Sequence, residues 1–336
     1  MKKKIKYLAA AWLLVLAGSL SAGDRVAQAD MTVSKVSYFR KAESMEKGGA
    51  DDDTEEESTE EEAGTDDDAK EEDAQKSEKV DETKAKEKKA KEKKGILVRV
   101  GSKKRVIKVI KGSFFKKKGV KYFKKQNGKR VKRCFFAKGK SVYYAGKKGE
   151  IIKGWKKIKG HYYFFDRKSG KLQFDTKADR IRIRKDGIAK ETKENVSRIK
   201  VYLEAQSVVS RVSKPSDSKA GKLYKCYKWM AAFGYTQYRT MKKAKAAYPN
   251  TWDIVFANDI FKKHRGCCAS EASAFAYMAK VCGYEGVKIC SDTGHAWVDI
   301  GGRLYDPLFA EARSFAKNYN ARYSDYRIHP AYTKAL

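Results

Sequence analysis

Apolar and polar positions alternate along residues 95–178, and glycine interrupts the alternation at regular intervals. Gly128, Gly149 and Gly170 lie 21 residues apart, and the same interval separates three aromatic pairs, Tyr122–Phe123, Tyr143–Tyr144 and Phe164–Phe165. A period of two is typical of strands, and glycine permits tight turns. Each unit is predicted to be a short strand, a glycine turn and a second short strand, and successive units must stack to bury their apolar faces.

The spacing of apolar residues becomes helical in the C-terminal part of the chain. One stripe follows a potential N-cap at Ser216 or Asp217 and precedes a stop at Gly234; it contains Leu223, Cys226, Tyr227 and Met230. A second stripe ends before Gly283 and contains Ala272, Phe275, Ala276, Ala279 and Cys282. Helices are therefore predicted at both places. Residues 179–336 are numerous enough to form one domain with its own interior.

The stretch GHAWVDIGGRLYDPLF predicts a hairpin with a two-residue turn at Gly301–Gly302. In that register Ile300 pairs with Arg303, and each earlier residue pairs one step further from the turn. Because side chains alternate between the faces of a strand, His295 and Asp306 become diagonal neighbours on one face.

The first 94 residues differ from the rest in composition. Residues 1–29 contain a lysine-rich start, a short apolar run and a small-residue AQA sequence, which predict a secretory signal peptide. An uncleaved membrane anchor is the alternative, and no stable membrane span is expected after cleavage. Residues 30–94 consist mainly of acidic and lysine-rich runs with few apolar residues, and they are predicted to be a disordered linker.

The remaining 242 residues are strongly basic, with 57 Lys and Arg against 18 Asp and Glu, a net charge of +39. A segment with this charge attracts polyanions. Anionic wall polymers or membrane surfaces are the expected partners of an exported protein, and no motif for nucleic acid is present. We therefore expect a secreted, wall-associated protein.

Two adjacent cysteines, Cys267 and Cys268, fall in the first turn of the second predicted helix. Unpaired backbone N–H groups and the helix dipole favour a thiolate there. A thiolate nucleophile also needs a base and a group that orients the base, and His295 and Asp306 fit these two roles. The alternative is structural, because cysteines of exported proteins are commonly buried or paired in disulfides. The chain has six, which could pair completely.

The repeats carry a first family resemblance. GWKKIKGHYYFFDRKSGKLQ resembles the cell-wall-binding repeats of bacterial surface proteins, whose aromatic side chains form pockets for choline or glucan. The resemblance implies wall-binding candidates in this chain: Tyr143, Tyr144, Trp155, Tyr162 and Tyr163. Lysines crowd the other units, so a basic platform for anionic wall polymers is one alternative and a structural β-spacer is another.

The C-terminal residues carry a second resemblance. RGCCASEASAFAYMAKVCGYEGVKIC followed by GHAWVDIGGRLYDPLF resembles the core of the transglutaminase-like superfamily. The resemblance implies a papain-like α+β domain over residues 179–336, preceded by the hairpin repeats of residues 95–178. It also implies Cys268 as nucleophile, His295 as base and Asp306 as orienting group, with no metal or organic cofactor. Three residues are candidates for an additional oxyanion donor: Trp252, Tyr235 and Gln237.

These features together predict an exported thiol enzyme that transfers or cleaves amide bonds of a protein or peptide through a thioester. Whether water or an amine accepts the acyl group stays open, so a cysteine peptidase and an acyltransferase are both possible. The alternative from another class is a non-catalytic wall-binding or adhesion protein that retains the fold.

Overall fold

The computed structural model describes residues 95–326 and 328–336. The predicted signal peptide of residues 1–29 and the predicted disordered linker of residues 30–94 lie outside the described residues. The described chain combines helices with sheets: small two-stranded sheets come first, followed by a helical region around a four-stranded sheet.

Five antiparallel hairpins form the first region. Their strands are β1 (Ile96–Val100), β2 (Lys103–Ile107), β3 (Gly112–Lys117), β4 (Val120–Lys125), β5 (Cys134–Lys138), β6 (Ser141–Ala145), β7 (Gly154–Ile158), β8 (His161–Phe165), β9 (Thr176–Ala178) and β10 (Ile181–Ile183). Each even-numbered strand pairs with the strand before it. The stacking expected from the sequence is present, because Ile151 N–H bonds Lys121 C=O at 2.8 Å and, 21 residues later, Leu172 N–H bonds Val142 C=O at 2.8 Å.

The repeating glycines lie in a second set of turns, separate from the turns of the five hairpins. Gly128, Gly149 and Gly170 all have positive φ, but they lie in the loops that lead from one hairpin to the next. The main hairpin turns lie at residues 118–119, 139–140 and 159–160. An antiparallel bridge flanks each of these glycines: Lys124↔Arg130, Ala145↔Ile151 and Phe165↔Leu172. The predicted glycine turn is therefore present with its 21-residue period, but the second strand of each predicted hairpin is reduced to an isolated bridge.

The second region contains seven α-helices within the described residues. They are α1 (Lys193–Val212), α2 (Lys219–Met230), α3 (Met241–Ala247), α4 (Trp252–Lys263), α5 (Cys268–Val281), α6 (Pro307–Ala312) and α7 (Phe315–Asn318). Short strands β11 (Gly234–Tyr235) and β12 (Arg265–Gly266) pair in parallel before α5. The main sheet has the order β15-β14-β13-β16, with β13 (Val287–Ser291), β14 (Ala296–Ile300), β15 (Arg303–Tyr305) and β16 (Tyr332–Ala335).

Helix α5 is the centre of this region. Every residue from Ala269 to Lys280 is buried, and the abundant alanines allow α1, α2 and α4 to approach closely. The predicted stop is confirmed, because Gly283 follows the helix with φ +90°. The N-cap expected for α2 is wrong by one or two residues: Ser218 accepts the Gly221 N–H at 3.0 Å, and Asp217 instead pairs with Lys225 at 2.6 Å.

A buried carboxylate connects three elements of the same region. Asp253 of α4 is fully buried and bonds Arg198 of α1, Tyr277 of α5 and Lys334 of β16, each at 2.6 Å. Burial opposes ionisation, but the adjacent Arg198 and Lys334 lower the pKa of Asp253. The charged pairs therefore hold the C-terminal strand against the helices.

The hairpins pack directly on the helical region. Trp155 is buried, and its backbone N–H and C=O bond the Gln206 side chain of α1 at 2.7 and 2.9 Å. Its indole N–H bonds Asp179 at 2.8 Å. The predicted boundary at 178/179 falls in the turn between β9 and β10, and the hairpin series continues to the bridge Ile183↔Ala189.

Candidate functional site

The two adjacent thiols lie where the sequence predicts, at the start of α5. Cys267 is the N-cap residue and is buried, whereas Cys268 is the first helical residue and is half-buried. The preceding Gly266 has no room for a side chain, because a Cβ atom would lie 2.4 Å from Cβ of Ser270 and 2.9 Å from Cδ1 of Ile260. This close packing fixes the direction in which the chain enters the helix.

The helix start changes the acidity of the thiol pair. The pKa of Cys267 is lowered to about 6, first by its hydrogen bond with the Cys268 thiol and then, against the effect of burial, by N–H groups of Ser270 and Ala269. The pKa of Cys268 is raised, first by the same thiol–thiol interaction and then by burial. The pair therefore loses its first proton easily and its second with difficulty, so one thiolate and one thiol share the site at neutral pH.

His295 lies directly before β14 in a loop that fixes its backbone. The carboxylate of Asp292 accepts the N–H groups of Gly294 and His295 at 2.8 and 2.6 Å. The imidazole stacks on the Phe309 ring with a centroid distance of 4.2 Å and an interplanar angle of 10°. Both contacts restrict the orientation of the imidazole.

Asp306 holds the imidazole. Its Oδ2 lies 2.6 Å from Nε2 of His295, so Nδ1 is the ring nitrogen left for chemistry. The carboxylate is fully buried, and its Oδ1 accepts the Phe309 N–H at 3.0 Å. The Asp306 carbonyl accepts the Tyr227 hydroxyl at 2.8 Å, and the Asp306 N–H bonds Asn318 C=O at 3.0 Å. This residue is consequently immobile.

The predicted hairpin explains this geometry only in part. The turn is confirmed, because Ile300 pairs with Arg303 and Gly301 and Gly302 both have positive φ. The second strand, however, ends at Tyr305, and Asp306 is the N-cap of α6. The diagonal strand pair of His295 and Asp306 is therefore wrong. Pro307 has no N–H for a strand partner and favours the first position of a helix, and a carboxylate before it is a good cap.

The backbone brings the thiols and the imidazole into the same neighbourhood. The N–H of Ala296, the residue after His295, interacts with the Cys268 thiol and acts to lower its pKa, as does the N–H of Ala269. Cys268 is thus next to the start of β14 and more accessible than Cys267. Of the three predicted residues, His295 and Asp306 are in direct contact, and the Cys268 thiol contacts the backbone N–H of Ala296, the residue after His295.

The three candidates for an oxyanion donor are in different places. The Tyr235 side chain is 53% exposed, and after burial the charges of Cys267, Cys268 and Glu271 raise its pKa. It is therefore close to the thiols. Gln237 is exposed. Trp252 is buried in α4 against Tyr332, with ring centroids 6.0 Å apart.

The wall-binding candidates are largely used in packing. Trp155 and Tyr163 are fully buried, and Tyr143 and Tyr162 are each 5% exposed. Tyr144 is half-buried and packs edge-on against Phe135 with a centroid distance of 4.9 Å. The unit that best matches the repeat pattern thus contributes its tryptophan to the contact with α1. A ligand-binding role for these five rings stays a prediction.

Two of the other four cysteines form a second thiol pair. Sγ of Cys226 in α2 lies 4.0 Å from Sγ of Cys282 at the end of α5. Cys290 lies in β13, 4.0 Å from the Tyr323 hydroxyl, and Cys134 is exposed at the start of β5. All six cysteines are free thiols.

Three residues that the sequence does not assign to the site position the predicted ones. They are Asp292, Tyr227 and Phe309. An aspartate two residues before a glycine is a recognisable turn signal, so Asp292 could have been found. Tyr227 and Phe309 have no such signal, because their roles depend on contacts that only the folded chain brings about.

No helix in residues 95–326 and 328–336 is both long and apolar enough to cross a membrane. Within the same ranges, no group of three or more His, Cys, Asp or Glu side chains is arranged to hold a metal ion.

Comparison with known proteins gives a limited likeness. No protein-family model and no curated protein sequence matches the chain. The choline-binding domain of Spr1274 from Streptococcus pneumoniae is 23% identical, and the match covers 23% of this chain and 93% of that chain with a TM-score of 0.22. Choline binding protein F from Streptococcus pneumoniae, with a peptidoglycan analogue, is 19% identical over 29% of this chain and 34% of that chain (TM-score 0.23).

A third structure has an unrelated description. Truncated alternansucrase from Leuconostoc mesenteroides is 20% identical, and the match covers 25% of this chain and 8% of that chain with a TM-score of 0.21. The match thus spans about a third of the second structure and less than a tenth of the third. Scores at this level assign neither a ligand nor an activity to this chain.

Proposed function

We propose that this chain is a thiol-dependent amide-processing enzyme of the transglutaminase-like type, exported and held at the cell wall by its basic hairpin repeats. The observation that carries the proposal is the 2.6 Å contact between Nε2 of His295 and the fully buried Oδ2 of Asp306, beside the thiols of α5. A buried carboxylate that fixes one imidazole nitrogen leaves the other directed to a nucleophile and a substrate.

Each residue has a defined part in the proposed reaction. Sγ of Cys268 attacks the amide carbonyl carbon while Nδ1 of His295 accepts the thiol proton. Collapse of the tetrahedral intermediate breaks the C–N bond, and the imidazolium gives its proton to the departing amine. The thioester left on Cys268 then reacts with water or with a second amine, which restores the thiol.

The helix start supports the same chemistry. The N–H groups of Ala269 and Ser270 lie beside the thiols, and the positive end of the helix dipole favours the negative charge of the developing oxyanion. Cys268 is preferred over Cys267 because it is the less buried thiol and lies beside Ala296. Cys267 is the more buried of the two thiols and takes no part in the proposed proton transfers. Tyr235 is exposed beside both thiols and is suited to contact the substrate.

A non-catalytic wall-binding protein is the second candidate, and one observation favours it. The raised pKa of Cys268 opposes the thiolate that catalysis requires. The repeats, with their many exposed lysines, could then be the functional part. The two candidates differ in one measurable property, the formation of a product that depends on Cys268.

The test uses the full chain with glutamine-containing peptides, with and without a primary amine. Mass spectrometry detects loss of ammonia with gain of water, incorporation of the amine, or cleavage of the peptide. We expect one of these products from the wild type and none from Cys268→Ala, while Cys134→Ala, which changes an exposed thiol of β5, retains the activity. Equal product from wild type and Cys268→Ala would contradict the proposal.

A further inference from the structure

A cavity of about 900 Å³ opens where the hairpins meet the helical region. Its lining includes Lys153 before β7, Arg167 and Lys168 after β8, Lys219 and Lys222 of α2, and Cys282 at the end of α5. These segments are distant in sequence, so the cavity exists only because the hairpins pack on the helices through Trp155 and Gln206.

The lining is predominantly cationic. Among the described residues it contains seven Lys and Arg side chains against three carboxylates. Asp179 is occupied by Arg167 at 2.5 Å, and Glu285 by Lys280 at 2.8 Å. Five lysines form no ion pair with a carboxylate of residues 95–326 or 328–336: Lys153, Lys168, Lys177, Lys219 and Lys222.

Like charges face one another across this cavity. After burial, the charge of Lys222 is the next cause that lowers the pKa of Lys153, and the charge of Asp166, the third carboxylate of the lining, acts in the opposite direction. The same cations reach the thiol, because Lys222, Arg167 and Lys219 act to lower the pKa of Cys282. A multiply charged anion between these groups would relieve the repulsion.

The lysines that form no ion pair with a carboxylate of the described residues point to one class of anion, although Nζ of Lys222 also donates to Pro215 C=O at 3.3 Å. The Arg167 guanidinium lines the cavity and donates two hydrogen bonds to the Asp179 carboxylate, at 3.0 and 2.5 Å. Planar recognition of a carboxylate by this arginine is therefore blocked, and the available donors are lysine ammonium groups. Lysines act as point charges on tetrahedral oxyanions, and they are common phosphate ligands.

We propose that this cavity binds a chain of phosphate groups, either a phosphodiester polymer or a free condensed phosphate. The site is distinct from the thiol site at the other end of α5. Binding does not require amide chemistry, so it can be measured in a Cys268→Ala background even if the proposed enzymatic function fails.

The test measures the affinity of the full chain for two probes, tripolyphosphate and poly(glycerol phosphate), by titration calorimetry. The double variant Lys153→Glu/Lys222→Glu removes two cations that face each other in the cavity. Lys103→Glu/Lys104→Glu makes the same change of net charge on exposed β2, outside the lining. We expect the first to lose about 10-fold or more in affinity and the second to keep it near the wild-type value.

The two probes distinguish the two sources of phosphate. Tighter binding of poly(glycerol phosphate) would identify a phosphodiester polymer as the ligand, and tighter binding of tripolyphosphate would identify a condensed phosphate. Equal losses in both double variants would overturn the site, since attraction to total charge would then explain binding. Equally tight binding of poly-glutamate would overturn the phosphate assignment.

A second measurement needs no variant and therefore does not depend on correct folding of one. Cys282 lines the cavity, so its alkylation in the wild-type chain should slow when tripolyphosphate is bound. Alkylation of exposed Cys134 should not change. Saturable binding that leaves the Cys282 rate unchanged would place the anion elsewhere and contradict the proposal.

Discussion

Helix α5 has a pair of thiols at each end, and the two pairs differ in what surrounds them. At the start, Cys267 and Cys268 interact with backbone N–H groups and lie beside the segment that holds His295 and Asp306. At the end, Cys282 lies 4.0 Å from Cys226 and is surrounded by lysines and an arginine.

The comparison shows that thiol acidity alone does not define a catalytic site. A neighbouring thiol is the first cause of the lowered pKa of both Cys267 and Cys282. Only the start of the helix also offers an imidazole fixed by a buried carboxylate, which can move a proton. The end offers fixed positive charge, which suits an anion rather than proton transfer.

Loss of the base, His295, should have the largest effect on the difference between the two ends of α5, because it should lower amide turnover most. His295→Ala is expected to lower amide turnover by about 10²–10⁴-fold, because the thiol proton and the leaving amine then have no partner. Cys282→Ala should retain turnover near the wild-type rate. Mass-spectrometric assay of product formation checks both, and wild-type turnover in His295→Ala would remove the distinction between the two ends of the helix.

Removal of the neighbouring thiol should have the next largest effect. In Cys267→Ser the thiolate that keeps the proton on Cys268 is lost, so the pKa of Cys268 should fall and its alkylation near neutral pH should become faster by about 10-fold.

The pH dependence gives the sign of this effect independently. In the wild type, Cys267 is a thiolate above its pKa of about 6 and a thiol below it, and the thiolate opposes ionisation of Cys268, so the rate of Cys268 alkylation should rise less steeply above that pH than below it. This change of slope should disappear in Cys267→Ser. Slower alkylation of Cys268 in the variant would show that Cys267 assists the ionisation of Cys268, which would contradict the prediction.

Loss of the stacking ring should have a smaller effect. Phe309→Leu keeps an apolar side chain but removes the parallel contact at 4.2 Å with His295, which is expected to lower kcat by about 3- to 10-fold. KM should change little, because the ring orients the base. A matched control is Phe115→Leu in β3, whose ring stacks on Tyr122 with a centroid distance of 5.3 Å in the hairpin region. An equal loss in both variants would indicate a general effect on packing.

The smallest effect is expected at the other end of the helix. Lys222→Ala removes one cation near Cys282, so the thiol pKa should rise and alkylation near neutral pH should slow by about 2- to 5-fold. Lys228→Ala, also in α2 but outside the cavity, should leave the rate unchanged. Equal slowing at Cys268 would show that the two ends are not electrostatically independent.

Local patterns were sufficient to predict several elements. The 21-residue period, the helix at Cys268–Val281 and the Gly301–Gly302 turn all depend on neighbours in sequence. Asp306 was assigned to a strand because the alternating pattern was followed through Pro307, a residue that favours the start of a helix.

Contacts between distant segments could not be predicted in the same way. Trp155 fitted a repeat pattern, but its partner Gln206 is 51 residues away. The pairing of β16 with β13, the approach of Cys226 to Cys282 and the basic cavity also appear only after the chain has folded. Periodicity identifies which face of an element is apolar, but it does not identify the segment that covers it.

The central claim is that Cys268 is the nucleophile served by His295, and covalent labelling tests it most directly. The full chain is treated with a peptidyl chloromethyl ketone near neutral pH, and the modified cysteine is located by peptide mass spectrometry. We predict one adduct on Cys268 in the wild type and strongly reduced labelling in His295→Ala. Labelling that falls mainly on Cys267 or Cys282, or that is unaffected by the loss of His295, would contradict the claim.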